Sequence, residues 1–334
     1  MHMGDALISP QVGGVMLAAA VGTAAFSIKK VREMDEKKLP LMGVMAAFVF
    51  AAQMINFTIP GTGSSGHLGG GLLLAILLGP SGGFLSMAAI LLIQALFFAD
   101  GGYLAYGCNL INMGFYACFI AYPLIYKLIT KNKLSRTRIA IGSIAASVVG
   151  LQLGAFSVVL QTQLSGKTEL PFSQFTWVML GIHLAIGLVE GIVTAAVVSF
   201  VWKVRPEIIS EETGSGSKRG NGTVIAVFVA AALALGGIVS LFASANPDGL
   251  EWSIGKVAGQ ELTGDSAIHA TLEKAQEKVA LLPDYGFKSA GENGGEAAGT
   301  VVSGVAGSAV TLGVIVLIGF LVRALKRKKA RPEN

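Results

Sequence analysis

The chain has 334 residues, of which 53% are hydrophobic and only 13% charged, and its mean hydropathy is +0.66. Soluble globular domains carry about a quarter charged residues, so this composition excludes an ordinary soluble domain. The net charge of +5 does not mark a nucleic-acid binder, because the basic residues lie between apolar runs rather than in one patch.

The chain opens Met1-His2-Met3-Gly4-Asp5, and no charged or secretory leader is expected ahead of it. The expectation is a free terminus whose α-amine, His2 backbone nitrogen and His2 imidazole close two adjacent chelate rings on one metal. A fourth donor would complete a square, and nitrogen donors in a tetragonal plane suit Ni(II) or Cu(II). A start residue followed by a chance histidine is the plainer reading of the same five residues.

Apolar stretches follow at about 10–28, 41–56, 68–78, 83–98, 107–126, 139–160, 174–202, 222–245 and 300–322. Most approach the ~20 residues of a spanning helix. The third is short, running from Leu68 to Leu78 and ending at Gly79-Pro80-Ser81-Gly82-Gly83, where Pro and Gly break a helix. Read as two crossings, 68–98 gives nine spans with the N-terminus outside and the C-terminus in the cytoplasm. The cytoplasmic segments 29–40, 79–82, 127–138, 203–221 and 323–334 then hold 20 of the 25 Lys and Arg. Read as one crossing, it would move the five basic residues of 127–138 outside, against the positive-inside rule. A helix of about 11–14 residues covers about 16–21 Å, less than the ~30 Å hydrocarbon core. Its start, at His67, is therefore expected below the outer surface, in a 57–67 loop buried within protein. The N-terminus is on the correct side to plug the hollow above it.

Three units are predicted. Residues 1–202 form a seven-helix bundle, 203–221 a Gly/Ser-rich cytoplasmic linker, and 222–334 a two-helix hairpin around a polar, mildly acidic outside loop at 246–299. The fold class is an all-α membrane protein, and Lys326-Arg327-Lys328-Lys329 is a cytoplasmic anchor at the lipid headgroups.

Polar residues inside spans are costly and therefore candidates. Gln53 and Asn56 close the second span, Gln94 and Asp100 the fourth, and Asn109 and Asn112 open the fifth. All sit at the level of an inserted N-terminus. They either bond to one another and to loop backbone, or orient imidazoles around a metal. Asp5 is placed to hold the N-terminal loop or fix a histidine tautomer. His183 and Glu190, seven residues apart, share a helix face; they read as a metal exit site, a coupling surface or a satisfied interhelical contact. His269, in the outside loop, reads as solvated. Cys108 and Cys118 would be about 15 Å apart on one helix, too far to bridge. Gly166-Lys167-Thr168 lacks the leading Gly of a phosphate loop, and no His-Glu-x-x-His occurs. The chain is not expected to be an enzyme; active transport would need an ATPase partner.

These residues resemble a known family. Met1-His2-Met3-Gly4-Asp5, Met54-Ile55-Asn56-Phe57, Ser65-Gly66-His67-Leu68-Gly69-Gly70, Leu77-Leu78-Gly79-Pro80, Gln94 through Gly102, Asn109 through Gly114 and His183 through Gly191 are similar to the M-type substrate-binding (S) component of energy-coupling-factor nickel/cobalt transporters. The resemblance covers most of 1–202. Pro247-Asp248-Gly249-Leu250-Glu251-Trp252, with Leu282-Pro283-Asp284-Tyr285, resembles the small N-type "PDGLE" accessory subunit, here fused through the linker. The resemblance implies a metal held by the Met1 amine, the His2 backbone and imidazole nitrogens, and the His67 imidazole. It implies a transmembrane coupling (T) subunit and two cytoplasmic ATPases as partners in a prokaryotic cytoplasmic membrane. It favours Ni(II) as the transported ion, with Co(II) in the same role, or passive transport by the chain alone, as the alternatives.

Overall fold

The computed structural model describes residues 2–32, 39–131, 134–209, 222–259, 262–264, 266–288 and 295–329. Met1 and residues 210–221 of the linker lie outside the described residues.

A single 3-10 turn, Asp5–Leu7, leads into helix α1, Pro10–Val31. Ser9 starts α1: its Oγ accepts the Val12 N–H at 3.3 Å, and Pro10 occupies the first turn. Helix α2 is Leu39–Gln53, and α3 is Gly71–Phe97. Next come α4, Tyr106–Thr130, α5, Arg136–Leu164, and α6, Phe172–Val204. Pro206–Ile209 adds one short turn, α7. The accessory part holds α8, Gly222–Gly237, α9, Gly249–Ala258, α10, Ala267–Val279, and α11, Gly295–Lys329. Among the described residues six helices are long and apolar enough to cross a bilayer, while α2 and α8 are shorter apolar helices. The chain is an all-α, multi-pass membrane protein.

Two features depart from a plain reading of spans. The third and fourth apolar stretches form α3, which does not run straight. Gly79 has φ 78° and ψ 165°, a left-handed conformation that glycine tolerates, and Pro80 follows it. A methyl group on Gly83 would come within 2.8 Å of the Ala75 nitrogen, so the two arms of α3 lie side by side. Residues eight apart on one straight helix would be separated by about 12 Å. The second departure corrects the expectation of a wholly buried 57–67 loop: Thr58, Pro60, Gly61 and Gly63 are exposed. Residues 57–66 form a hairpin, β1 Phe57–Ile59 antiparallel to β2 Ser64–Gly66, with Phe57 opposite Gly66. Strand β2 is buried, and pairing satisfies main-chain groups that lie away from water.

Every residue of α2 from Leu41 to Gln53 is buried. The accessory helices cover the face that α3 leaves open. Phe48 packs edge-on against Phe228 of α8 with ring centroids 5.0 Å apart, and Gly43 faces Leu312 and Val316 of α11. Helices α8 and α11 meet where the main chains of Gly236 and Gly304 touch, the close approach that small residues permit. The loop between them folds across the top of the bundle.

Candidate metal-capture site

The N-terminal tail enters the bundle as an added strand of chain. Met3, fully buried, donates its N–H to Asn109 Oδ1 at 2.7 Å, and its carbonyl accepts from Asn109 Nδ2 at 3.0 Å. Gly102 N–H donates to the same carbonyl at 3.0 Å. Asn112 donates to the Met3 sulfur at 3.5 Å and exchanges two hydrogen bonds with Gln161, at 2.8 and 3.0 Å. Asp5 accepts the Ala105 N–H at 2.9 Å, fastening the next turn of the tail to the start of α4.

These clamps place His2 over His67, with ring centroids 5.0 Å apart and planes inclined by 20°. A chain of amides sets the His2 tautomer. Gln53 Nε2 donates to the Gly69 carbonyl at 2.7 Å, so its Oε1 accepts from Gln94 Nε2 at 2.8 Å. Gln94 Oε1 is left to accept from His2 Nε2–H at 3.1 Å. In the neutral ring the lone pair then sits on Nδ1, the nitrogen that can close a chelate ring with the backbone. Asp100 Oδ1 lies 3.7 Å from that nitrogen, and Tyr285 of the accessory loop donates its hydroxyl to Asp100 Oδ2. Burial pushes the His2 pKa down to about 4 although the Asp100 carboxylate opposes the shift, so the ring is held neutral, the form a metal needs.

His67 is arranged in the same manner. Its Nδ1–H donates to the Leu68 carbonyl at 3.2 Å, leaving the lone pair on Nε2, which is buried without a hydrogen-bond partner. Glu190 fixes the following turn: Oε2 accepts from Gly69 N–H at 2.8 Å and Oε1 from Gly70 N–H at 3.1 Å. These are donors at the start of α3, where a carboxylate is favoured. Glu190 thus braces the His67 loop and does not pair with His183, whose Nδ1 bonds the Met179 carbonyl at 2.8 Å. Asn56 contributes differently from the other amides: its main-chain carbonyl accepts the Ser244 N–H at 2.7 Å. Among the described residues no three His, Cys, Asp or Glu converge into a set that could hold a metal by themselves.

Four participants are additional to those the sequence pointed to. Gln161 backs Asn112, Met3 lends its sulfur, Tyr285 holds Asp100, and Asp248 Oδ2 approaches His67 Nε2 at 3.7 Å. Gln161 stands in an apolar span, where the cost of a buried amide was already a signal. The expectation of a solvated His269 is corrected. It is 4% exposed, with Nδ1 in the cap of α10 and Nε2 donating to the Ile8 carbonyl at 2.9 Å. That bond ties the accessory loop to the start of α1, so the residue has a partner in place of water.

Comparison with known proteins gives two family matches. Residues 2–208 match the family described as cobalt uptake substrate-specific transmembrane region, and residues 222–324 match the PDGLE domain. A protein of Archaeoglobus fulgidus provisionally named as the fused nickel transport protein NikMN is 33% identical, over 93% of this chain and 96% of its own. The fused nickel transport protein NikMN of Rhodobacter capsulatus is 33% identical over 63% of this chain and 64% of its own. A crystal structure of a transition metal transporter superposes with a TM-score of 0.54 at 34% identity, covering 61% of this chain and 93% of that one.

Proposed function

We propose that this chain, which belongs to the cobalt-uptake substrate-specific family and has that family's non-catalytic role as a divalent-metal (nickel or cobalt) substrate-binding component of an energy-coupling-factor transporter, carries Ni(II). The ion is taken from outside by the Met1 amine, the His2 backbone nitrogen and His2 Nδ1, and His67 Nε2 closes the square. The observation that carries this reading is the stacking of His2 on His67 at 5.0 Å, with both tautomers set so that a lone pair is free of other partners' N–H groups. Four nitrogens in a plane favour Ni(II) over Co(II). So does the likeness to one fused nickel transport protein along almost the whole chain.

Seven spans in 1–202, with the arms of α3 as two short crossings, and two more in the accessory part leave the two ends on opposite sides, and the basic residues of 127–138 and 323–334 favour the tail on the outer one. The side-by-side packing of Gly83 and Ala75 supports that arrangement. Family membership implies a T subunit and ATPases; these would move the loaded chain in the cytoplasmic membrane, and the chain itself hydrolyses nothing.

Titration of the purified full chain with Ni(II) and with Co(II) tests the choice of cargo. Tighter Ni(II) binding with the absorption of a four-coordinate planar complex is expected. Equal or tighter binding of Co(II) would overturn it.

A further inference from the structure

The polar loop of the accessory part contains a helix, α10, whose side chains sort into separate arcs at 3.6 residues per turn. His269 and Gln276 share the arc that faces the bundle. His269 Nε2 donates to the Ile8 carbonyl, and Gln276 Nε2 donates to the carbonyls of Ala95 at 3.0 Å and Gly101 at 2.7 Å. Ile8 stands just ahead of α1 and Ala95 lies in the last turn of α3, so α10 runs across the ends of two spans. Next to the bundle arc come Ile268, Leu272, Ala275 and Val279, spaced four, three and four residues apart, which confines them to an arc of about 60°. This apolar row is open: Ile268 and Val279 are 49% and 45% exposed, and Leu281 just beyond them is 66% exposed. Lys278 and Lys274 border the row, whereas Glu273 and Glu277 lie on the far side of the helix; all four are exposed. Lysines four apart, and glutamates four apart, repel along an isolated helix. The sorting becomes favourable where the lysine arc meets a negatively charged surface and the glutamate arc meets water. On the same side of the molecule α1 turns Val15, Val21 and Phe26 outward, an apolar surface that in a spanning helix meets lipid.

We propose that α10 is an interfacial helix that binds anionic phospholipid. Its row of Ile268, Leu272, Ala275 and Val279 lies at the boundary between headgroups and acyl chains around the bundle, and Lys274 and Lys278 hold lipid phosphates. An amphipathic helix with lysines beside its apolar face and acids away from it takes this position. Lysine stems are long enough to cover apolar surface while the ammonium reaches the headgroups. The occupant is lipid because the row is tied to the ends of two spans, where the bilayer surface must be, and because its flanking charge is the complement of a phosphate. The accessory loop is then held from two directions, by the bundle through His269 and Gln276 and by the bilayer through the apolar row. The main-chain bonds of Leu281 and Leu282 to the Phe97 carbonyl follow directly along the chain, so the lipid seat lies beside the seam that fastens the loop. This inference is independent of the ion that the chain carries.

The test labels the full chain, reconstituted in bilayers, with an environment-sensitive fluorophore on single introduced cysteines; Cys108 and Cys118 are buried. Labels at Ile268→Cys, Ala275→Cys and Val279→Cys are expected to lose about half or more of their emission to a nitroxide on the lipid chains, while labels at Glu273→Cys and Glu277→Cys respond to iodide in the water. Equal responses on the two arcs overturn the interfacial placement. So does a row shielded from both quenchers, which would mean that a partner protein or a second copy covers it. With the nitroxide carried by phosphatidylglycerol, the label at 275 should be quenched more strongly than by the same nitroxide on phosphatidylcholine, by up to about fivefold for each lysine near the surface. Lys274→Gln combined with Lys278→Gln should bring that ratio down to about one. A ratio of about one in the parent chain, or an unchanged ratio after loss of both lysines, overturns the headgroup contact.

Discussion

Behind the histidine pair, on helices α2 to α5, the supporting groups are side-chain amides bonded to one another. Gln53 and Gln94 form one relay, and Asn112 with Gln161 a second. On the accessory side most contacts have a main-chain group as at least one partner. Ser65 N–H meets the Pro247 carbonyl at 2.8 Å, Ser244 N–H the Asn56 carbonyl, and the N–H groups of Leu281 and Leu282 share the Phe97 carbonyl at 3.0 Å each. The first wall orients lone pairs, and its members have no substitutes. The second seats a cover, and any one of its bonds is a small part of the whole. The difference implies that damage to the wall changes equilibrium affinity, and damage to the cover changes how fast metal arrives.

The largest expected effect comes from the nitrogens themselves. One residue inserted ahead of Met1, or His67→Ala, should weaken Ni(II) binding by more than about 100-fold in isothermal titration, beyond the 10–100-fold typical of losing a group that only orients a ligand. Retained affinity in the inserted variant would falsify the N-terminal chelate.

Next comes the wall. Gln94→Leu removes the acceptor for His2 Nε2–H and strands Gln53 Oε1. Affinity should fall about 10–100-fold, with a loss of about 1–3 kcal/mol of stability from the unpaired amide. An unchanged titration would mean that the relay does not set the tautomer.

A third effect follows from pH in the metal-free chain. The His2 pKa is lowered to about 4 in the folded state from 6.5, so an undocked tail takes up a proton before a docked one. Docking is fully favoured above about 6.5 and is lost progressively as pH falls toward 4. Hydrogen exchange at the Met3 amide, which Asn109 protects, should speed up over that window. Protection that stays flat down to pH 4 would contradict the burial of a neutral His2.

The smallest effect belongs to the cover. Trp252→Phe deletes the indole N–H bond to the Thr62 carbonyl at 3.1 Å, and Thr58→Ala deletes a bond to Ser244 at 2.9 Å. Each should cost about 0.5–1.5 kcal/mol or less and leave the Ni(II) dissociation constant within about twofold while slowing its association. Weakened equilibrium binding in either would erase the distinction between wall and cover.

Much of the wall was legible in the sequence because polar residues in apolar spans stand out. The all-α class was legible for the same reason, apart from the hairpin at 57–66. Its three-residue strands are too short to carry an alternating pattern of their own. The cover was not legible. Asp248 is one acid among several in a polar loop, and nothing local to it says that its second oxygen faces an imidazole. His269 misled because a histidine in a polar loop gives no sign of the Ile8 carbonyl, distant in sequence, that buries it. Glu190 was visible as a costly buried charge, but its partners are two backbone N–H groups, which every sequence contains.

Main-chain docking of the accessory loop has a bearing on how mutational scans of this protein will read. An alanine scan deletes side chains and leaves peptide groups in place, so residues 281, 282 and 284, whose N–H groups reach the Phe97 and Phe98 carbonyls, would keep those bonds in such a scan. Proline, or an ester in place of the amide at 282 or 284, is the substitution to which that seam is sensitive.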